Sequence, residues 1–133
     1  MGGSAPRAEA FAKMLARELT ATDPDAVHPI GKTERYSLFK VGPVISVNHG
    51  MGMPSHSILM HEITKLLRHA NATNVIFIRI GTSGGIGVEP GTIVVAEEAI
   101  NNELKPVHRA VILGTIHEFP TTLDKELVRY SCS

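Results

Sequence analysis

The feature that most restricts the fold is an apolar run directly before a glycine-rich turn. The run occupies residues 75–80 (VIFIRI), and the turn occupies residues 81–85 (GTSGG). A nearly continuous apolar run of this length is typical of a strand buried on both faces of an α/β sheet. Arg79 interrupts the run and therefore requires a partner. An acidic side chain such as Glu97 or Glu98 would serve, and so would an anionic ligand.

Two segments have the spacing of amphipathic helices, because their large apolar residues recur every three or four positions. In residues 8–20 the side chains expected on the packed face are Phe11, Met14, Leu15 and Leu19. In residues 55–70, the longest predicted helix, they are Ile58, Leu59, Ile63, Leu66 and Leu67. A third, shorter helix is predicted within residues 121–130, with threonine caps and an early aspartate.

Short β-rich runs separate these helices. Residues 35–39 and 44–47 predict a hairpin. Residues 92–100 follow an EPGT turn at residues 89–92 and predict another strand, and residues 110–119 predict one or two more. Strands that alternate with helices indicate an α/β fold. A chain of 133 residues is expected to form one domain around one core.

The composition argues against several classes of function. Thirteen Lys and Arg residues balance thirteen Asp and Glu residues, so the chain lacks the excess positive charge typical of a nucleic-acid binder. No apolar run approaches the ~20 residues of a membrane-spanning helix, and the N-terminus lacks the apolar core of a signal peptide. The one cysteine, Cys132, cannot form an internal disulfide, which favours a reducing compartment and hence a cytoplasmic location.

Three glycine-containing loops form the candidate site. GGSAPR (2–7) precedes the first helix, HGMGMPS (49–55) precedes the second, and RIGTSGG (79–85) ends the apolar run. Backbone amides at the start of a helix attract anions, and ligands of open α/β sheets bind beyond the carboxyl ends of the strands. We therefore expect an anion site where the three loops meet. Each loop taken alone is more often simply a turn.

Individual side chains in these loops also have structural explanations. Arg7 and Arg35 could be solvated surface charges, which is the commoner fate of arginine. For His49, a hydrogen-bonded structural role is favoured over a catalytic one. Met51 could fill a core or line a pocket for a base or sugar. The spacing of the histidines does not predict a metal site.

Two strings, KVGPVISVNHGMGMPS (40–55) and FIRIGTSGGIGVEPGTIVV (77–95), closely resemble the uridine phosphorylase family of the nucleoside phosphorylase superfamily, nearest to its animal members. The resemblance runs from Gly2 to about Leu113, and several strings match in order. It implies a three-layer α/β fold with a mixed central β-sheet flanked by helices. Residues 1–133 would form a partial domain that lacks the N-terminal strands and the C-terminal half.

The resemblance implies a pentosyltransferase that catalyses the reversible phosphorolysis of uridine to uracil and ribose 1-phosphate, in pyrimidine salvage and nucleotide catabolism. Inorganic phosphate would be the co-substrate, with no cofactor and no metal. The expected partners are uridine and phosphate, without nucleic acid or membrane, in a homodimer or larger oligomer with shared sites. The alternative is a truncated noncatalytic subunit that keeps the phosphate-binding half and associates with full-length chains.

The resemblance also implies roles for particular residues. The phosphate-binding set would be Gly3, Arg7, Arg35, Arg79 and Thr82. Of these, Arg79 and Thr82 would be catalytic. The nucleoside-binding set would be Met51, Thr82, Ser83 and Gly84. Arg79 would then be paired with the substrate phosphate, whose oxygens match the planar fork of a guanidinium group.

Overall fold

The structure, a computed structural model, describes residues 1–20, 23–31 and 33–131. The chain divides into two compact units, Met1–Ser83 and Gly84–Ser133. No helix within the described ranges is both long enough and apolar enough to cross a membrane. Cys132, on which the prediction of a reducing compartment depends, lies outside the described residues.

The first unit contains two helices and a β-hairpin. Helix α1 spans Ala5–Leu15 and continues as a π-helical segment, Ala16–Thr20. Strands β1 (Leu38–Val41) and β2 (Val44–Val47) pair antiparallel, and helix α2 spans Gly52–His69. The predicted helices and hairpin are confirmed, although β1 begins later than the sequence indicated.

A two-residue turn joins the strands of this hairpin. Gly42 occupies its first position with a φ of +52°, and Pro43 follows. Glycine at the first position is the signature of a type II′ turn, whose twist matches that of the flanking strands. The proline ring fixes φ at a value that suits the second position and removes an N–H that the turn would leave unpaired.

One cluster of buried side chains packs α1 against β1. Its members are Ala8, Ala12, Ala16, Phe39 and Val41. The three alanines recur every four residues and so share one helical face, while the two strand residues alternate onto one face of the hairpin. Methyl side chains let the helix lie close to the strand, which places the start of α1 beside β2.

The packed face of α1 differs from the face that the sequence predicted. Met14 and Leu19 are about half exposed, whereas Ala12 and Ala16 are fully buried. Leu15 packs against the cluster as predicted. The prediction for Met14 and Leu19 was wrong because it weighted side-chain hydrophobicity. Long side chains on the packed face would have held the helix away from the hairpin, and a narrow gap favours alanine.

A second cluster packs α2 against the hairpin. Its buried members are Tyr36, Val47, Leu59 and Ile63. On the predicted face of α2, Leu59 and Ile63 are buried as expected, but Ile58 and Leu66 are 38% and 46% exposed. The first unit therefore contains two small clusters, rather than the single core that the length of the chain suggested.

The prediction of a buried strand at residues 75–80 is wrong. The segment has no regular secondary structure, and its apolar side chains are 42–60% exposed. Among the described residues, its backbone pairs only with Met1, whose amine donates to Ile78 O (2.6 Å) and whose carbonyl accepts from Ile80 N–H (2.9 Å). A fully buried strand needs neighbours at both edges and cover on both faces. Within the described part of the first unit, no element supplies them.

The second unit contains another hairpin and a short helix. Strands β3 (Val107–Ile112) and β4 (Thr115–Pro120) pair antiparallel, and helix α3 spans Lys125–Ser131. Leu113 and Gly114, at the turn, both have positive φ, +50° and +80°, as a type I′ turn requires. The sequence left one or two strands open here, and the structure has two.

Two further predictions for the second unit need correction. The strand expected at residues 92–100 is absent, except for an isolated bridge between Glu98 and Thr122. The cap of α3 is Asp124, not a threonine, because its carboxylate accepts from the amides of Glu126 (2.9 Å) and Leu127 (3.1 Å). None of the described residues of this unit is buried, so these segments lack a core that would hold a strand in place.

Candidate functional site

Backbone hydrogen bonds bring parts of the three predicted loops together in the first unit. Gly2 donates its N–H to Val47 O (2.9 Å) and accepts from His49 N–H (2.8 Å), so the loop before α1 lies beside the end of β2. Ile80 N–H donates to Met1 O, which attaches the loop after the apolar run to the same place. The predicted meeting of the loops is confirmed for these residues.

A small cavity lies where the loops meet. Its volume is about 180 Å³, below the ~300–1,000 Å³ of pockets that enclose drug-sized ligands. Ala8, Phe11 and Ile80 contribute apolar wall, and Arg7, Ser46 and Thr82 contribute polar side chains; Met1, Gly2 and Gly81 complete the lining. The cavity therefore suits a small polar molecule or ion.

Arg7 and Thr82, which are 75 residues apart in the sequence, meet in this cavity. Arg7 Nη1 donates to Thr82 Oγ1 across 3.3 Å. The threonine hydroxyl accepts this bond and keeps its own proton for a further acceptor. A cation and a free O–H donor thus face the same space, which is the chemistry that an oxyanion requires.

The start of α1 adds to the positive character of the cavity. Ser4 is the N-cap residue, but its side chain makes no capping hydrogen bond. The amides of the first turn therefore lack a side-chain acceptor, and the positive end of the helix dipole lies beside Arg7. Both features favour a negatively charged occupant.

Two buried polar side chains hold this arrangement in position. Ser46 Oγ donates to Ala8 O (2.8 Å) and so joins β2 to α1. Asn48 Oδ1 accepts from Ser37 N–H (2.6 Å) at the end of the hairpin. Because the Ser46 proton is already committed, this hydroxyl acts as a structural tie and is not a free donor to a ligand.

The Arg79 side chain folds back over Gly81, one of the residues that line the cavity. Three atoms of its guanidinium group lie 3.1–3.4 Å from the point where a Cβ on Gly81 would stand. Within the described part of the first unit, no hydrogen bond or ion pair involves the Arg79 side chain. Glu97 and Glu98, the alternative partners suggested by the sequence, belong to the second unit.

His49 is buried, but it is not the hydrogen-bonded structural histidine that the sequence favoured. Its side chain is 6% exposed, and neither ring nitrogen has a hydrogen-bond partner among the described residues. The ring meets His56 edge to face, with centroids 5.3 Å apart. Burial lowers the pKa of His49, and the charges of Arg79 and His56 lower it further. The imidazole is therefore neutral at pH 7.

Arg79 is not among the residues that line the cavity, and the other predicted site residues also lie outside it. Gly3 is partly exposed beside the lining residue Gly2. Arg35 and Ser83 are exposed, and Met51 is 91% exposed at the start of α2. Gly84 is exposed and begins the second unit.

Most cavity residues were not predicted as site residues from the sequence, among them Phe11, Ser46 and Gly81. Phe11 was expected in the packed face of α1, but it lines the cavity. Ser46 carried a usable signal, since a hydroxyl inside an apolar strand needs a partner. Gly81 carried another, because it directly precedes the predicted site residue Thr82 in one of the three candidate loops.

The chain is similar in sequence to one protein family over its whole length. The model of the Phosphorylase superfamily matches residues 1–133. Uridine phosphorylase 2 of Mus musculus is 47% identical over an alignment of 137 positions, which covers 100% of this chain and 43% of the mouse protein. Inactive uridine phosphorylase B of Schistosoma mansoni is 40% identical over 126 positions, covering 95% of this chain and 42% of that protein. The chain thus spans less than half the length of these relatives.

Solved structures agree with the sequence matches. A structure from a study of two uridine phosphorylases of the oomycete Phytophthora capsici superimposes with a TM-score of 0.85. It is 51% identical in sequence, and the match covers 96% of this chain and 44% of the other. A likeness of this degree extends over nearly all of the elements described above.

Proposed function

Because the chain belongs to the phosphorylase superfamily and has the α/β fold of its members, we propose that it supplies the phosphate-binding part of a uridine phosphorylase. The reaction is the reversible phosphorolysis of uridine by inorganic phosphate, which yields uracil and ribose 1-phosphate. The names of the relatives support uridine as the nucleoside. The chain spans 42–43% of these relatives, so the proposal concerns the part of the reaction that these residues can perform.

The observation that carries this proposal is the hydrogen bond from Arg7 to Thr82 at the cavity. The guanidinium group supplies charge and further N–H donors, and the Thr82 hydroxyl has a proton left to donate. The start of α1, whose N-cap side chain makes no capping bond, carries Arg7 and Ala8 of the cavity lining. Hydrogen bonds from such donors to an ionised oxygen are about twice as strong as those between neutral groups. We assign this cavity to the phosphate.

Three further residues complete the proposed phosphate set. The Arg79 guanidinium lies beside the lining residue Gly81, and in the described part of the first unit no carboxylate neutralises it. Gly3 would offer its amide beside Gly2. Arg35 is exposed and outside the cavity. We propose that it reaches the phosphate of a second chain, in a homodimer or larger oligomer with shared sites.

The chemistry that we propose needs positioned charge more than it needs a reactive side chain. Breaking the glycosidic bond leaves positive charge on the ribose and negative charge on the departing uracil. A phosphate held beneath the anomeric carbon stabilises that positive charge and attacks the same carbon. Fixing the phosphate with Arg7, Arg79 and Thr82 removes the entropy cost of bringing the reactants together. Phosphate is the co-substrate, and the proposed mechanism uses no cofactor or metal.

The remaining assignments complete the proposal. Met51, Thr82, Ser83 and Gly84 would face the nucleoside, with Thr82 shared between the two substrates. Their exposure leaves them accessible to a ligand. We place the protein in the cytoplasm, where pyrimidine salvage and nucleotide catabolism would use this reaction.

The test is a pair of measurements on the purified chain. Calorimetric titration with inorganic phosphate reports binding, and uracil release from uridine, with and without phosphate, reports turnover. We expect Arg7→Ala to weaken phosphate binding about 10-fold or more, the value of one charge-assisted hydrogen bond. Arg17→Ala, which removes an exposed arginine outside the cavity, is the matched control and should change neither measurement.

The two measurements also separate the enzyme from the second candidate function. A noncatalytic subunit that binds phosphate and associates with longer chains is favoured by the exposed apolar side chains of residues 75–80. The existence of an inactive relative also favours it. Phosphate binding without uracil release, together with co-purification with a full-length uridine phosphorylase, would support that candidate. Absence of phosphate binding by folded protein would refute both.

A further inference from the structure

The Arg79 guanidinium lies where a side chain on Gly81, two residues later, would begin. A Cβ built on Gly81 would stand 3.1 Å from Arg79 Nη1 and 3.4 Å from both Cζ and Nη2. Because all three of these atoms lie within 3.4 Å of that point, the guanidinium group occupies the side of Gly81 where a side chain would otherwise be. Distances of 3.1–3.4 Å are tighter than an ordinary van der Waals contact, so a carbon atom added here would displace the guanidinium by a few tenths of an ångström.

Gly81 is not required there for its backbone conformation. Positive φ values occur at several other glycines, including Gly50 and Gly52, but Gly81 is not among them. Its backbone conformation is therefore compatible with alanine. What glycine provides at this position is the space that a side chain would fill, and the Arg79 guanidinium occupies that space.

The position of this contact relates it to the proposed phosphate site. Gly81 lines the cavity between Ile80 and Thr82, and Arg7 faces the same cavity. Arg79 is exposed and has no hydrogen bond or ion pair in the described part of the first unit. An exposed arginine that nothing else holds would sample many rotamers. In this structure its guanidinium lies in the open space over Gly81, beside the cavity.

We propose that Gly81 is a positioning residue for phosphate binding, whose absent side chain leaves the Arg79 guanidinium space beside the cavity. This inference rests on the proposed function. In Gly81→Ala, the new methyl group occupies that space, and the exposed guanidinium is displaced from it. The backbone, the charge of the protein and the Arg7–Thr82 pair remain as they are.

The test is a double-mutant cycle of Gly81→Ala and Arg79→Ala, with inorganic phosphate as the titrant. We expect Arg79→Ala to weaken phosphate binding ~10–100-fold, because it removes the hydrogen bonds from the guanidinium to phosphate. Gly81→Ala should weaken binding ~3–10-fold, because it weakens those hydrogen bonds without removing them. In the Arg79→Ala background, Gly81→Ala should have an effect of less than about 2-fold, because the group on which it acts has gone. Equal effects of Gly81→Ala in both backgrounds would overturn the inference.

A second measurement on the same four proteins does not depend on phosphate. The charge of Arg79 acts on the ring of His49, so NMR titration of the His49 imidazole reports where the guanidinium lies. Gly81→Ala should shift the titration midpoint when Arg79 is present and leave it unchanged in the Arg79→Ala background. An unchanged midpoint in both backgrounds would overturn the placement. If the wild-type chain bound no phosphate, the proposed function would fail, and this titration would still decide whether Gly81 positions Arg79.

Discussion

Replacing Leu59 with alanine should destabilise the first unit far more than the same replacement at Leu66. The two leucines lie seven residues apart on α2, so the change in side-chain volume and in helix propensity is the same. Their surroundings differ. Leu59 is 2% exposed and belongs to the buried cluster with Tyr36 and Val47, whereas Leu66 is 46% exposed.

The expected magnitudes follow from these exposures. Truncating a fully buried leucine removes its transfer free energy and leaves a cavity, at a cost of about 2–5 kcal/mol in the free energy of unfolding. Leu66 already exposes nearly half of its surface. Burying a leucine side chain completely contributes ~1.5–3 kcal/mol, and Leu66→Ala removes roughly half of that contribution without enclosing a cavity. We therefore expect the free energy of unfolding to fall by about 1 kcal/mol. The two variants should therefore differ by about 1–4 kcal/mol.

The assay is urea-induced unfolding of the wild-type chain and both variants, followed by far-UV circular dichroism. The free energy of unfolding falls linearly with urea concentration, and the variants are compared only if the slopes of these lines are equal. A changed slope would indicate a change in the surface exposed on unfolding. Equal losses for the two variants, or a larger loss for Leu66→Ala, would refute the packing of α2 against the hairpin. A loss at Leu59 below about 1 kcal/mol would show that this cluster can collapse around the missing side chain.

Two further predictions concern His49 and the second unit. Burial lowers the pKa of His49 in the folded state below the ~6.5 of the unfolded chain, so the unfolded state binds the proton more readily and stability is lost as pH falls below ~6.5. His49→Gln should flatten this dependence in urea unfolding between about pH 7.5 and 5.5, and an unchanged dependence would contradict the assignment. Asp124→Ala should cost α3 about 1 kcal/mol and speed hydrogen exchange of the Glu126 amide about 5-fold, because the capping carboxylate is lost. Thr122→Ala, at a threonine predicted as a cap, should leave that rate unchanged, and equal effects would contradict the cap.

Local patterns in the sequence were sufficient for the elements of the first unit. The spacing in residues 8–20 and 55–70 predicted α1 and α2, since an amphipathic helix depends on side chains three or four residues apart. The turn of the first hairpin depends on Gly42, whose conformation is a property of the residue itself. The family resemblance, carried by several strings in order, is confirmed by the superfamily match over residues 1–133.

The predictions that failed depended on what lies across from each segment. The composition of residues 75–80 is that of a buried strand, but a strand exists only where neighbouring strands accept its hydrogen bonds. The packed face of α1 depended on the width of the gap beside β1, which favoured alanine over larger apolar side chains. Neither the pairing nor the gap can be read from the segment alone.

The sequence by itself supplied the candidates for an anion site: the arginines, the glycine-containing loops and the threonine that follows Gly81. Only the tertiary structure decided which of them meet. Arg7 and Thr82 are 75 residues apart and come within hydrogen-bonding distance, whereas Arg35 stays outside the cavity. The physical reason is that residue chemistry and helix spacing act over a few positions of the chain. Contact between distant segments depends on the packing of α1 on the hairpin and on the backbone pairing of Gly2 with the end of β2.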